Sequence, residues 1–260
     1  MKIRNHKSLV LGYSLLAGLL FLACPAWSWT SSEAAKFQEA GKEYRAGQFD
    51  KAISFYQELL KAHPREAVLF YNLGNSHFRK GKLGEAILSY ERARFYEPRD
   101  KDIDFNLHYA RGLLEYRVED KRNWYIRAGE QVLEKFTEEE VDLLGLGCYF
   151  LFLMGWLFCL FFRQRMPWGW KRKTLLLVSA VFLFLSIAKD VEIRVIRDAI
   201  VMTKEAEVRY GPSESDQIAF RVGEGIKVYV VDYREDWSRV LLVNGEGGWM
   251  RNRYLAEVRV

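Results

Sequence analysis

Four histidines, three cysteines and a run of acids are the residues of this chain that could carry bond chemistry, and their spacing argues against it. His6, His63, His77 and His108 show no metal-ligand spacing. Cys148 and Cys159 fall in one apolar stretch where, at about 1.5 Å per helical residue, they stand roughly 16 Å apart, too far for a disulfide. Glu138, Glu139 and Glu140 follow Thr137 at the spacing of a capping box, so they read as a helix start rather than a metal or catalytic cluster. There is no nucleophile elbow, phosphate-binding glycine loop or zinc signature. The chain is therefore read as non-catalytic, with no cofactor and no metal. What remains is the chemistry of recognition. Asn72, Asn75 and Arg79 share one helical face and Asn106 extends it from the next helix, which offers donors and acceptors to a bound peptide backbone. The same residues are equally suited to a solvated face or to holding helices together. Tyr210, Tyr233, Trp237 and Trp249 offer either an aromatic platform or the filling of a small core.

The polar face belongs to a repeat. Gly47 and Gly81, Ala52 and Ala86, Ile53 and Ile87, Tyr56 and Tyr90, Pro64 and Pro98 recur at a spacing of 34 residues. Alanines let paired helices approach, aromatics fill the gap between them, glycines end the first helix and prolines the second. The spacing predicts an all-α domain over 31–116 with units 33–66 and 67–100. Asn106-Leu107 begins a third unit that lacks its second helix, so 101–116 is read as a cap helix. The period, with Leu73-Gly74, Gly81, Ala86, Tyr90, Ala93 and Pro98, resembles the tetratricopeptide repeat. That resemblance implies a concave peptide-binding groove lined by the first helix of each unit. Two departures accompany it: Phe37 and Asp102 stand where the family's carboxylate clamp has lysines, and His77 takes a position that is usually aromatic.

From Ala199 the texture changes to short β-rich stretches at Ile218–Val222, Lys227–Val231, Val240–Val243 and Trp249-Met250, divided by glycine turns. A small all-β barrel over 199–258 is expected. Val208-Arg209-Tyr210-Gly211-Pro212-Ser213, then Asp236-Trp237, Gly248-Trp249-Met250 and Tyr254-Leu255, resemble in their order the bacterial SH3-like domain. The resemblance implies a peptide-facing or peptidoglycan-facing platform of Tyr210, Tyr233 and Trp237, while a barrel this small calls on Trp249 for its core and could use Trp237 there as well.

Half of the residues are hydrophobic although 28% are charged, so the apolar ones are concentrated. Lys2, Arg4 and Lys7 precede a charge-free run from Leu9 to Ala23, which reads as a signal peptide over 1–28. Three fates stay open: cleavage after Ser28, acylation of Cys24, or retention as an anchor. Leu143 to Phe162 is twenty residues without a charge, enough for about 30 Å of hydrocarbon, so a span is expected over 141–163. Thr174 to Ala188, fifteen residues, suggests a second over 174–189 with Lys173 and Lys189 reaching the interfaces. Between them Arg163, Arg165, Lys171, Arg172 and Lys173 stand without an acid, which makes 164–173 a cytoplasmic loop of a two-helix transmembrane hairpin. Both soluble domains then face the exported side of the inner membrane. Tyr125, Ala128, Val132 and Phe136 give 117–140 an amphipathic helix suited to the lipid surface or to the repeats. The loop absorbs much of the net charge of +5, so no nucleic-acid partner is expected.

This arrangement, with Asp104-Phe105-Asn106-Leu107 followed by Ala110-Arg111, resembles the E-type protein of the bacterial aerotolerance (Bat) operon. The resemblance implies partnership with von Willebrand A-domain membrane proteins and a MoxR-type ATPase in a stress-linked complex. Two functions fit the whole: an assembly scaffold, or an envelope sensor whose SH3-like domain binds peptidoglycan.

Overall fold

The computed structural model describes residues 29–161 and 197–259, and between them positions 169, 174, 177, 178, 180, 181 and 184. The expected leader 1–28, loop 164–173 and second span 174–189 lie outside the described residues apart from those positions. The first half is a helical stack: α1 (Ser31–Arg45) with α2 (Phe49–Ala62), α3 (Ala67–Arg79) with α4 (Leu83–Tyr96), then α5 (Lys101–Gly112). Thr30 starts α1 with a capping box, its hydroxyl accepting from the Glu33 N–H at 3.2 Å while its own N–H donates to the Glu33 carboxylate at 2.8 Å. Each first helix ends on a glycine with positive φ, 76° at Gly47 and 78° at Gly81, where the chain reverses. Small residues stand where helices touch. Ala40, Ala52, Ala86, Ala93 and Ala110 are fully buried, and a Cβ added at Gly74 would lie 2.7 Å from the Tyr90 ring. The cap helix α5 ends at Gly112, short of the expected 116, and buries Ile103, Leu107 and Ala110.

Beyond α5 an irregular strap leads to α6 (Trp124–Leu133) and then α7 (Glu138–Phe161). The amphipathic residues expected over 117–140 thus form a ten-residue helix with no buried residue. At its entry Arg122 bonds both Asp120, at 2.8 Å, and Glu130, at 2.6 Å. Thr137 starts α7: its hydroxyl accepts from the Glu140 N–H at 3.2 Å, and its N–H donates to the Glu140 carboxylate at 3.1 Å. Arg99, at the end of the second repeat, grips the same carboxylate at 2.6 and 3.2 Å. Among the described residues no helix is long and apolar enough to cross a membrane. The expected first span, 141–163, continues past Phe161, and several of its side chains lie outside the described residues.

The second half is one antiparallel sheet built from β1 (Arg197–Val201), β2 (Ala206–Arg209), β3 (Ile218–Val222), β4 (Lys227–Arg234), β5 (Trp237–Leu241), β6 (Gly247–Arg251) and β7 (Leu255–Glu257). Its order is β3-β2-β6-β5-β4-β1-β7, so the expected closed barrel is corrected to an open ladder with β3 and β7 as edges. Register shifts at Val208/Arg209 and Val230/Asp232 bend the sheet around its core, and the three-residue β7 pairs with β1. Val208, Val228, Val230, Val240 and Met250 fill the inner face.

The two halves share a core. Ile87, Leu88 and Tyr90 of α4 and Leu107 of α5 pack in one cluster with Ile200 of β1 and Val258. Leu114, from the strap, reaches into the sheet's own core. Arg92 on α4 donates to the carbonyls of Glu257 at 2.7 Å and Val258 at 3.2 Å. A fully buried side chain such as Ile200 contributes roughly 1.5–3 kcal/mol, which favours the docked arrangement.

Candidate functional site

The polar face of the repeats is half network and half open surface. Asn106 Nδ2 donates to Asn75 Oδ1 and to the Tyr71 hydroxyl, each at 3.0 Å, and the Tyr90 hydroxyl donates to the same Asn75 oxygen at 2.7 Å. That oxygen is therefore committed, and the Asn75 NH2 is what it can still offer. Burial pushes the Tyr90 phenol far above its usual range and keeps it a donor. Asn72 donates to the Val68 carbonyl of its own helix at 2.8 Å. Arg79 turns toward α2, with its guanidinium 5.2 Å from the Phe49 ring. Asn75 and Asn106 are thus brought together, Asn72 flanks them, and Arg79 departs.

Aromatic residues that the polar pattern missed surround this network. Phe105 and Tyr109 of α5 stack at 6.5 Å, and Phe78 of α3 lies 5.8 Å from Tyr109. Phe105 is 70% exposed. The signal was present, since Phe37, Tyr71 and Phe105 follow one another at the repeat period. Phe37 packs edge-on against Trp29 and Tyr56, while Asp102 is exposed at the start of α5. At these two positions the described residues are thus an aromatic ring and a carboxylate, where the family's clamp has cations.

On the sheet, Tyr210 is 72% exposed and stands at the end of β2. Tyr233 donates its hydroxyl to Glu257 at 2.7 Å beside Arg197. Burial, then Glu257, push this phenol up to about 12. Trp237 is only 6% exposed, with the Arg251 guanidinium 4.5 Å above its ring. Tyr233 stands opposite Ser238, and Arg234 opposite Trp237, so Tyr233 and Trp237 point to opposite faces. The three residues do not form one platform. Trp249 is buried as well, beneath Arg234 at 5.1 Å.

A third cluster lies at the junction of the halves. Glu91, 3% exposed, pairs with Arg111 and with Arg94 at 3.1 Å. Burial raises its pKa, but Arg111, Arg94 and Lys227 outweigh burial and hold it at about 2. Lys227 pairs with Asp198 at 2.7 Å. Burial disfavours the Lys227 charge, yet Glu91 and Asp198 more than compensate, and its pKa lies above the usual lysine range. Burial pushes the adjacent Tyr229 phenol up to about 12. Sequence patterns could not reveal this cluster, because its members come from both halves of the chain. Among the described residues no three His, Cys, Asp or Glu side chains converge as metal ligands.

Residues 37–102 match the tetratricopeptide repeat family, and residues 203–257 match the bacterial SH3 domain family. The helical stack carries tetratricopeptide repeats, and the sheet is a bacterial SH3 domain. No curated protein matches the chain. The repeat match spans most of α1 to the start of α5 and so contains Asn72, Asn75 and Arg79, whereas Asn106 lies just beyond it. The SH3 match contains Tyr210, Tyr233 and Trp237. The strap, α6 and α7 fall in neither.

Proposed function

We propose that the chain is a non-catalytic, membrane-anchored scaffold whose repeats and SH3 domain bind protein partners from one body. The shared core of α4, α5 and β1 carries this reading, because it fixes two recognition modules relative to each other. A partner held at one module is then positioned for whatever is held at the other. The same core supports a topology. Residues 83–112 and 197–258 cannot pack together with a bilayer between them, which favours an even number of crossings by the chain that joins them. The charge-free runs Leu143 to Phe162 and Thr174 to Ala188, with the basic segment between, favour two crossings and a cytoplasmic loop. Both modules then face the exported side of the bacterial inner membrane, behind a leader over 1–28. In its finer form the reading is an aerotolerance or envelope-stress complex with von Willebrand A-domain membrane proteins and a MoxR-type ATPase.

Co-purification of the full chain in mild detergent tests the scaffold. Asn72→Ala with Phe105→Ala touches the open surface but spares the Asn75–Asn106 network, and it is expected to reduce recovery of the partner about tenfold. Undiminished recovery would exclude the inner surface as the binding face. Protease accessibility of tags after Val260 and between Arg163 and Lys171 tests the topology: a protected C-terminus in spheroplasts refutes it. The exposure of Tyr210 favours a second reading, an envelope sensor that binds peptidoglycan. On that reading the chain sediments with purified sacculi, and Tyr210→Ala abolishes the sedimentation.

A further inference from the structure

A cleft follows the junction between α4, the strap with α6, and the sheet. It has two lobes that meet at Arg94, Arg122, Glu130, Lys227 and Tyr229. One lobe, of about 520 Å³, has apolar walls from Phe95, Leu133, Phe136, Val231, Leu241 and Val258, beside the ion-paired Glu91, Arg94, Asp198 and Lys227. The other, of about 540 Å³, gathers Arg94, Arg111, Arg117, Arg122, Arg127 and Lys227 against the carboxylates of Asp120, Glu130 and Glu134. Glu91 behind Arg94 and Arg111 still leaves cations in excess. Among the described residues Arg117 bonds the Gly112 carbonyl, at 2.8 Å, and neither it nor Arg127 forms an ion pair. These two guanidinium groups can accept an external anion without breaking an internal pair.

The wall made by α6 is held by polar bonds and by side chains that are only partly covered, such as Leu133. Glu134 lies 3.4 Å from Arg94, Glu130 accepts from the Tyr229 hydroxyl at 3.4 Å, and no α6 residue is buried. Such a wall can part to admit a ligand. Each lobe falls within the roughly 300–1,000 Å³ of small-molecule sites, which favour domain junctions. An apolar lobe continuous with a cationic one calls for a molecule with a hydrocarbon tail and an anionic head. Phe136, at the tail end, is the residue before the Thr137 cap that starts α7, with its exposed Leu143, Leu146 and Phe150.

We propose that this cleft binds a phospholipid with a net anionic headgroup, with an acyl chain between Phe95, Leu133 and Phe136 and the phosphate at Arg117 and Arg127. The proposal rests on the membrane reading above. It is tested by titrating the full-length protein in amphipol with lysophosphatidylglycerol, lysophosphatidylcholine and inorganic phosphate. Lysophosphatidylglycerol is expected to bind at least tenfold more tightly than lysophosphatidylcholine. Arg117→Glu with Arg127→Glu is expected to erase that preference while the circular dichroism is unchanged, and the milder Arg127→Gln to reduce it. Equal binding of the two lysolipids, displacement by equimolar phosphate alone, or an unaltered preference in the charge-reversed protein would each overturn it. Carbonate extraction keeps the two readings apart. Release of the chain sinks the membrane reading, whereas a resistant chain that ignores headgroup charge sinks only the lipid site.

Discussion

Glu91 keeps a charge inside the molecule because cations from three elements surround it: Arg94 on its own helix, Arg111 on α5 and Lys227 on β4. Its folded pKa of about 2 lies below the ordinary value, so the unfolded chain takes up the proton more readily. The stability this gives is present above the unfolded carboxylate pKa, near 4.3, and is lost as the pH falls toward 2. Urea midpoints are expected to drop over that window, and Glu91→Gln to flatten the drop; an acid limb as steep as that of the parent protein would contradict this. Removing the carboxylate also takes from Arg111 its ion-pair partner, while Arg94 keeps Glu134 and Lys227 keeps Asp198, at a cost of about 3 kcal/mol near neutral pH. Asn75 and Asn72 provide a contrast. Asn75→Ala deprives the Tyr90 hydroxyl and the Asn106 amide of their acceptor and is expected to cost about 1–3 kcal/mol. Asn72→Ala is expected to stay within about 0.5 kcal/mol, and guanidinium unfolding of the two variants separates network from surface.

Elements meet closely where a turn of the sheet touches the strap and the repeats. Gly225 has φ of 79°, and a Cβ there would lie 2.6 Å from Leu114 and 2.8 Å from Ile87. Gly225→Ala therefore combines left-handed strain with overpacking and is expected to cost about 2–4 kcal/mol. Faster hydrogen exchange at α4 and β1, with the far repeat unit unchanged, would locate the damage at the junction. The repeat unit itself was legible in the sequence because Ala52 and Ala86, or Gly47 and Gly81, do one job twice, and the period reveals the job. The docking of β1 on α4 was not legible, since Ile87 and Ile200 lie in different domains and no local pattern names a distant neighbour. The aromatic platform failed for a related reason. Which face Tyr233 and Trp237 take depends on the register across the Glu235-Asp236 turn, and alternation along one strand does not set that register. Barrel closure is likewise a property of edges far apart in sequence.

Across the whole molecule, a common core predicts common unfolding. Ile200 is fully buried among residues of both halves, so Ile200→Ala is expected to cost about 2–5 kcal/mol and to lower the melting of repeats and sheet together. Two separate calorimetric transitions, only one of them shifted, would show that the halves fold independently. The core also dictates a timetable for biogenesis. Arg92 must wait for Val258, which lies 166 residues downstream. At roughly 5–20 residues per second, synthesis leaves the outer side of α4 bare for on the order of ten to thirty seconds. Throughout that interval the newly made repeats expose an oily surface to proteases and chaperones, so a nascent chain stalled before β1 should be degraded from its first domain onward.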